Sequence, residues 1–594
     1  MRLATAFASV VLLIACEKAE RPGIYQAPGS DAGLGFARDV RVATDTGPAC
    51  TGEGIRCDGQ TPYRCGPNGQ RAELDPCGGE RPFCVAGVGC LRCPPSATRC
   101  DPDHPAVPQR CADDGSRWLD QAACDASGGQ RCVSGRCGDP CDVPDGAQQY
   151  LGCDYWATVT PNSQLYRGFP FAVALANPQD YAVTVRISGG ALDAPREVTL
   201  APGAAEAVEL PWVPSLAQFS STIQPCACER PAMCSNPVPA RSALARGGAY
   251  QIRATAPVAA YQFNPLTFEA RTDAGMCVNS YTNDASLLLA QRALTRRYLV
   301  LTAPQFNRFG GFIAVVATTG ESTSVTVRLP ARHGVPEASA DGVVRHDNLT
   351  PGDVAVIVGA GSGDLSGAVV EASAPVAVFA GHDCTFVPHD RPACDHLEEQ
   401  VLPIETLGRD FVVSDLRDRD APTLVRMVAS LDDTTVRFDP PSLSPARVLA
   451  AGQVLDVPAT QSFRVISSRP LMVAQIMTGL GVEGIGAGDP AMVQEVPAQQ
   501  FRDRYDFFVP GTYTTNFLGV VTPRGSTPLL DEAPLVGEVE RLGPWDIVHA
   551  RVAPGRHRLR TAEGVPLGVK VYGTARYTSY MYPGGLDLRL LTPG

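Results

Sequence analysis

At 594 residues and a formal net charge of −12, the chain has room for about four domains. It carries no run of basic residues, which excludes a nucleic-acid partner because phosphate neutralisation needs a basic face. Abundant glycine (58) and proline (52) with only 19% charged residues argue against a helical bundle and for short strands between turns.

Residues 1–15 read as a signal peptide: Arg2 precedes an apolar run from Ala4 to Ala15 that is too short to span a bilayer. The run ends in Leu13-Ile14-Ala15-Cys16, which resembles the lipobox of bacterial lipoproteins. The resemblance implies cleavage before Cys16, lipidation of that cysteine, and a membrane contact through two or three acyl chains. A signal peptide followed by an unmodified cysteine is the alternative. Setting Cys16 aside leaves an even number of the 21 cysteines to pair, and Glu17 at the next position favours the outer membrane. Residues 16–49 lack hydrophobic periodicity and read as a flexible tether.

Residues 50–153 form a cysteine-rich module. Cys50, Cys57, Cys65, Cys77, Cys84 and Cys90 are followed by a similar set, Cys93, Cys100, Cys111, Cys124, Cys132 and Cys137, and Cys141 and Cys153 remain over. Each set has too few apolar residues for a core, so disulfides supply the stability. Their connectivity stays open. Cys90 and Cys93 form a CxxC, but a zinc site needs a second pair at matching spacing.

From about Tyr155 the texture changes to β-rich runs bounded by Gly, Pro and Asp. A phrase recurs four times: a strand, a proline with an apolar residue, then another strand. The prolines are Pro257, Pro375, Pro470 and Pro566. Alternation such as Val325-Thr326-Val327-Arg328-Leu329 is the half-buried β pattern. Four β units are expected, at 154–282, 283–396, 397–493 and 494–594. The fold class is all-β, with tandem β-sandwich-like repeats behind the disulfide-rich module; a propeller-like ring of the repeats is the rival.

His382, His389 and His396 lie close together with Asp383, Asp390, Asp395, Glu398 and Glu399, a density that makes them candidate metal ligands. The competing reading is a long loop between units, pinned by a Cys384–Cys394 disulfide, with its polar residues pairing locally. Cys226, Cys228, Cys234 and Cys277 sit in an insertion of the first unit and read as two further disulfides. Gly479 to Gly484 satisfies GxGxxG, but Pro490 and more glycines follow where a dinucleotide site needs a helix. The sequence contains no GxSxG, HExxH or P-loop, so no enzyme and no cofactor is expected.

Gly381-His382-Asp383-Cys384, Cys394-Asp395-His396-Leu397-Glu398-Glu399-Gln400, Tyr261-Gln262-Phe263-Asn264-Pro265 and Thr578-Ser579-Tyr580-Met581-Tyr582-Pro583 together resemble the IgG Fc-binding protein N-terminal domain family. The resemblance covers about residues 155–590 and leaves the cysteine-rich module outside. It implies a non-catalytic extracellular binding protein, without carrying over any motif for Fc itself. The expectation is a bacterial cell-envelope lipoprotein, on the surface or in the periplasm, with adhesin-like binding of a protein or glycan. A periplasmic scaffold is the alternative, and a metal-dependent hydrolase at His382–Glu399 the third reading.

Overall fold

The computed structural model describes residues 54–591, apart from 59, 66–69, 105, 127–128, 134, 143–148, 220–237, 272–274, 321, 420 and 483–484. Cys16, the tether, and Cys226, Cys228 and Cys234 lie outside the described residues. The chain divides into two compact parts, one built from Met1–Pro94 with Asp114–Arg117, the other from Pro95–Asp113 with Trp118–Gly594.

In the first part a three-stranded sheet (Ile55–Asp58, Thr61–Cys65, Arg71–Glu73) accompanies a hairpin (Phe83–Val85, Gly89–Leu91). Its buried hydrophobic side chains are two cysteines, Cys77 and Cys93, so cross-links replace a core: Cys57–Cys84 and Cys77–Cys90. The second part opens on the same plan, with a sheet of Thr98–Cys100, Pro108–Cys111 and Trp118–Asp120 and a hairpin of Arg131–Val133 and Arg136–Gly138. Its bonds are Cys100–Cys132 and Cys124–Cys137. Both sets therefore join their second cysteine to their fifth and their fourth to their sixth, each bond worth roughly 2–4 kcal/mol. Cys141–Cys153 then leads into the β body.

The β body is four sandwich-like units, three of them an outer and an inner sheet and the first a seven-stranded sheet whose long strand Tyr250–Asn264 runs through both layers. Outer strands alternate in burial, as Thr323–Arg328 does, whereas inner strands such as Gly311–Ala317 and Leu471–Ile476 are buried throughout. An inner sheet has protein on both faces, so its sequence is continuously apolar. In every unit a long inner strand turns back into a final strand that pairs with it. These pairs are β1 (Tyr250–Asn264) with β2 (Asp284–Leu287), β3 (Val376–Thr385) with β4 (Asp395–Gln400), β5 (Leu471–Ile476) with β6 (Met492–Gln494), and β7 (Gly568–Ala575) with β8 (Thr578–Pro583).

The four final strands meet. β2 touches β4 and β8, and β6 touches β4 and β8, so the units close into a ring around them. The units are sandwiches, as the alternation suggests, but they are not beads on a string. Units also trade strands. β2 completes the sheet of the first unit although it follows residue 283, and β4 crosses the 396/397 boundary drawn from sequence to complete that of the second. Ala243–Ala245, from the first unit's insertion, extends the inner sheet of the second.

A short 3-10 turn follows β2, β4 and β6 and leads to the first strand of the next unit. There the repeated proline phrase finds its function. Tyr155, Tyr298 and Tyr505 are fully buried, and their hydroxyls donate to the carbonyls of Val258, Val376 and Leu567 at 2.5, 2.6 and 2.7 Å. Each acceptor is the apolar residue after the repeated proline. The Tyr298 and Tyr505 hydroxyls also accept the N–H of Thr295 and Arg502, each at 3.0 Å. The third unit has Phe411 in this place.

The ring is closed non-covalently. The Tyr150 N–H donates to Leu586 at 3.2 Å, Gln149 bridges Asp587, and the Tyr150 hydroxyl exchanges hydrogen bonds with the Asp506 backbone at 2.8 and 3.1 Å. Gly585, at φ +153°, lies so close to the Tyr150 ring that a Cβ would stand 2.6 Å from it. The Tyr298→Phe variant should lose about 1–3 kcal/mol, because it strands the Val376 carbonyl and the Thr295 N–H in the interior. Denaturant unfolding of the full chain would show this as a lower midpoint. An unchanged midpoint would mean that the hydroxyl is dispensable.

Candidate functional site: a buried polar hub beneath a crown of loops

Where the four final strands converge, their polar side chains turn toward one another. The Asp284 carboxylate is fully buried. It accepts the backbone N–H of Ala285 at 2.9 Å on its own strand, Glu398 at 3.0 Å on β4 and Met492 at 3.0 Å on β6, with Met581 of β8 at 3.5 Å. One side chain thereby addresses all four units.

The Asp395–Gln400 phrase supplies the rest of the hub. Asp395 accepts from Thr578 Oγ1 at 3.1 Å, in the fourth unit. His396 Nε2 lies 3.1 Å from Thr160 Oγ1 in the first unit, and its ring stacks on Phe312 at 5.6 Å. Glu398 accepts from Gln262 at 2.8 Å, from Asn264 at 3.3 Å and from the Thr160 hydroxyl. Glu399 accepts from Ser286 at 2.9 Å and faces the Gln494 N–H of the third unit at 3.4 Å. Gln400 accepts the Leu289 N–H at 2.8 Å. One step away, Asp383 clamps the first unit to the second: Ser163 donates through N–H and hydroxyl, both at 2.7 Å, and Ala240 N–H at 3.1 Å.

Polar density in this segment suggests a loop with local pairing; the structure makes it two strands whose partners lie in other units, leaving 386–394 as the loop. Burial raises the carboxyl pKa of Asp284, Asp395 and Glu399 well above the usual range. His382 is fully buried, its Nδ1 facing the Cys384 N–H at 3.1 Å, and burial drives its pKa down to about 3. His389 sits in the loop beside Phe306, ring centroids 5.4 Å apart. Among the described residues no group of three or more His, Cys, Asp or Glu side chains is placed to hold a metal. Cys384 and Cys394 are bonded to each other, Gln164 Nε2 lies 3.0 Å from Cys394 Sγ, and Cys277 is also disulfide-bonded.

The hub is sealed. His382, Asp383, Asp395, His396 and Glu398 have no accessible surface, so no external substrate can reach them. Two small cavities adjoin it, one beside Lys570 and Glu495 and one beside Glu399 and Met492, both far below the roughly 300–1,000 Å³ of ligand pockets. Thr160, Gln262, Asn264, Asp284 and Ser286 are hub residues that composition and spacing do not reveal. Two of them, Gln262 and Asn264, fall within the family-like phrases.

Above the hub, the described parts of the links from each long strand to its final strand gather at one end of the ring: 265–271 with 275–283, 386–394, 477–482 with 485–491, and the 576–577 turn. Tyr281 packs on Tyr577 at 5.0 Å, Gly479 N–H donates to Val387 at 2.9 Å, and Gly488 N–H donates to Ala575 at 2.8 Å. Gly479 and Gly481 allow this approach, since a Cβ at either would stand 2.4 or 2.2 Å from Ala393 or Pro392. The described part of the GxGxxG stretch, 479–482, is thus a packing loop. The crown exposes Met276, His389, Arg391 and Arg576, with Arg308 beside it and the Arg576 guanidinium 4.9 Å over the Tyr577 ring.

Asp489, in the third loop, is buried and accepts the Leu480 N–H at 3.1 Å. Burial raises its pKa to about 7 against the opposing pull of that N–H and of Arg419. The folded chain therefore holds a proton that the unfolded chain releases above the ordinary carboxylate range. The resulting stability is full at low pH and is lost as pH rises through about 7. Urea midpoints should fall between pH 5 and pH 8 by less in Asp489→Asn than in the wild type. Equal slopes would place the titration elsewhere.

Residues 284–573 match the model of the family described as IgGFc binding protein. The human IgGFc-binding protein is 31% identical over 202 residues, covering 34% of this chain and 4% of that relative. The match thus spans a small fraction of the relative's length. No solved structure matches the chain.

Proposed function

We propose that the chain, which matches the IgGFc-binding protein family over residues 284–573, is a non-catalytic binding protein whose contact surface is the loop crown. The observation that carries this reading is the division of labour in the ring. The titratable groups are sealed in the hub, while arginine, methionine and histidine side chains stand exposed on loops that the hub and the disulfides hold in place. Arginine and methionine are enriched at protein interfaces, and loops on a rigid scaffold are where recognition usually resides. The ligand is an extracellular protein or glycan, and the adhesin-like role places the crown outside the cell. The lipid on Cys16 and the tether of 17–49 hold it to the outer membrane of a bacterial envelope.

Binding is tested with the full chain against two immobilised probes, an immunoglobulin Fc fragment and a mucin-type glycoprotein. One of them should retain the chain, and Arg391→Ala with Arg576→Ala should weaken retention roughly tenfold or more. Equal binding by the double variant would remove the crown from the reading. Location is tested by protease treatment of intact cells. Digestion of the β body without lysis supports the adhesin, whereas protection until lysis supports the periplasmic scaffold instead.

A further inference from the structure

At the joint between the third and fourth units three side chains meet that neither the hub nor the crown uses. Lys570 on β7 and Glu495 just after β6 are buried, with 6% and 7% of their side chains exposed, and Lys570 Nζ lies 2.5 Å from Glu495 Oε1. Gln475 on β5 is 1% exposed. Its carbonyl oxygen contacts Lys570 Nζ, and its Nε2 donates to Thr423 Oγ1 at 3.0 Å and to the Ser414 carbonyl at 3.2 Å. The amide is therefore held by both ends, with its carbonyl oxygen on the amine and its carbon one bond further on.

The choice of lysine is informative. Lys570 is the single lysine among the described residues, in a chain that uses arginine elsewhere. A buried ion pair is better served by the arginine fork, which stays charged. Lysine differs in that its nitrogen, once it has given up a proton, is a nucleophile. Glu495 is the adjacent proton acceptor, with its carboxyl pKa raised by burial.

We infer that Lys570 and Gln475 join in an intramolecular isopeptide bond, with Glu495 as the proton carrier. Nζ passes one proton to Glu495 and attacks Cδ of Gln475. Glu495 protonates Nε2, the Cδ–Nε2 bond breaks as the Nζ–Cδ bond is completed, and Glu495 takes the second proton from Nζ. Ammonia leaves with that proton as ammonium, restoring the carboxylate. One C–N bond forms and one breaks, and nothing is oxidised or reduced. Fixed juxtaposition supplies the rate advantage of an intramolecular reaction. The product ties an inner strand of the third unit to one of the fourth, making covalent a joint that is otherwise held by packing, hydrogen bonds and ion pairs.

Peptide mass mapping of the folded, purified full chain tests this. The expected result is one cross-linked species containing residues 475 and 570, lighter by one ammonia than the sum of the two peptides. Glu495→Gln should lower the linked fraction at least tenfold, and Lys570→Arg should abolish it. Recovery of the two wild-type peptides separately at full mass would overturn the inference, whatever the folding of the variants. Loss of water with a link between Lys570 and Glu495 would overturn the assignment of Gln475.

Discussion

The β body depends on how the backbone at its centre is satisfied. Four strands from four units converge there, and the N–H groups that turn inward have no further strand to pair with. A buried amide without an acceptor costs about 1–3 kcal/mol, so the convergence would be unstable if apolar. Asp284 removes the problem with one carboxylate that accepts N–H groups from β4 and β6. The Asp395–Gln400 strand extends the same solution, each of its polar residues bonding into another unit or onto β2. The polar hub is expensive to desolvate, and what it gives in return is a defined order of units, since each carboxylate finds its donors in one arrangement only.

The repeat was legible because it is local. Strand, proline and strand recur within a few residues, and the alternation of the outer strands survives in any environment. The capping role of Tyr155, Tyr298 and Tyr505 is not local, because each reaches an acceptor 103, 78 or 62 residues further along the chain. The hub was not legible in the same way. His382, Asp383, His396 and Glu398 look like solvent-facing loop residues in one dimension. Their burial arises only when Ser163, Thr160, Asn264 and Asp284 arrive from distant parts of the chain. Sequence density therefore points to the correct segment with the wrong local structure, and of these partners the family resemblance marks Asn264 alone.

The cysteine-rich repeats and the ring stabilise themselves by opposite means. The repeats bury almost no hydrocarbon and hold their strands by cross-links at equivalent positions, while the ring buries extensive apolar clusters and uses the Cys384–Cys394 bond to close the base of a loop. Such a division suits a binding protein, in which the recognition loops must be rigid and the scaffold must tolerate their variation.

Closure of the ring has one further consequence. Residues around Tyr150 meet residues around Leu586 and Asp506 within the same chain, but the two surfaces are different, so the contact is head-to-tail. The same pair of surfaces on separate molecules can engage each other if the circle opens. What favours closure within one chain is effective concentration: the other end of the same chain is always nearer than a neighbour's. A high local concentration of copies erodes that advantage, and end exchange between neighbours would then convert closed circles into linear strings.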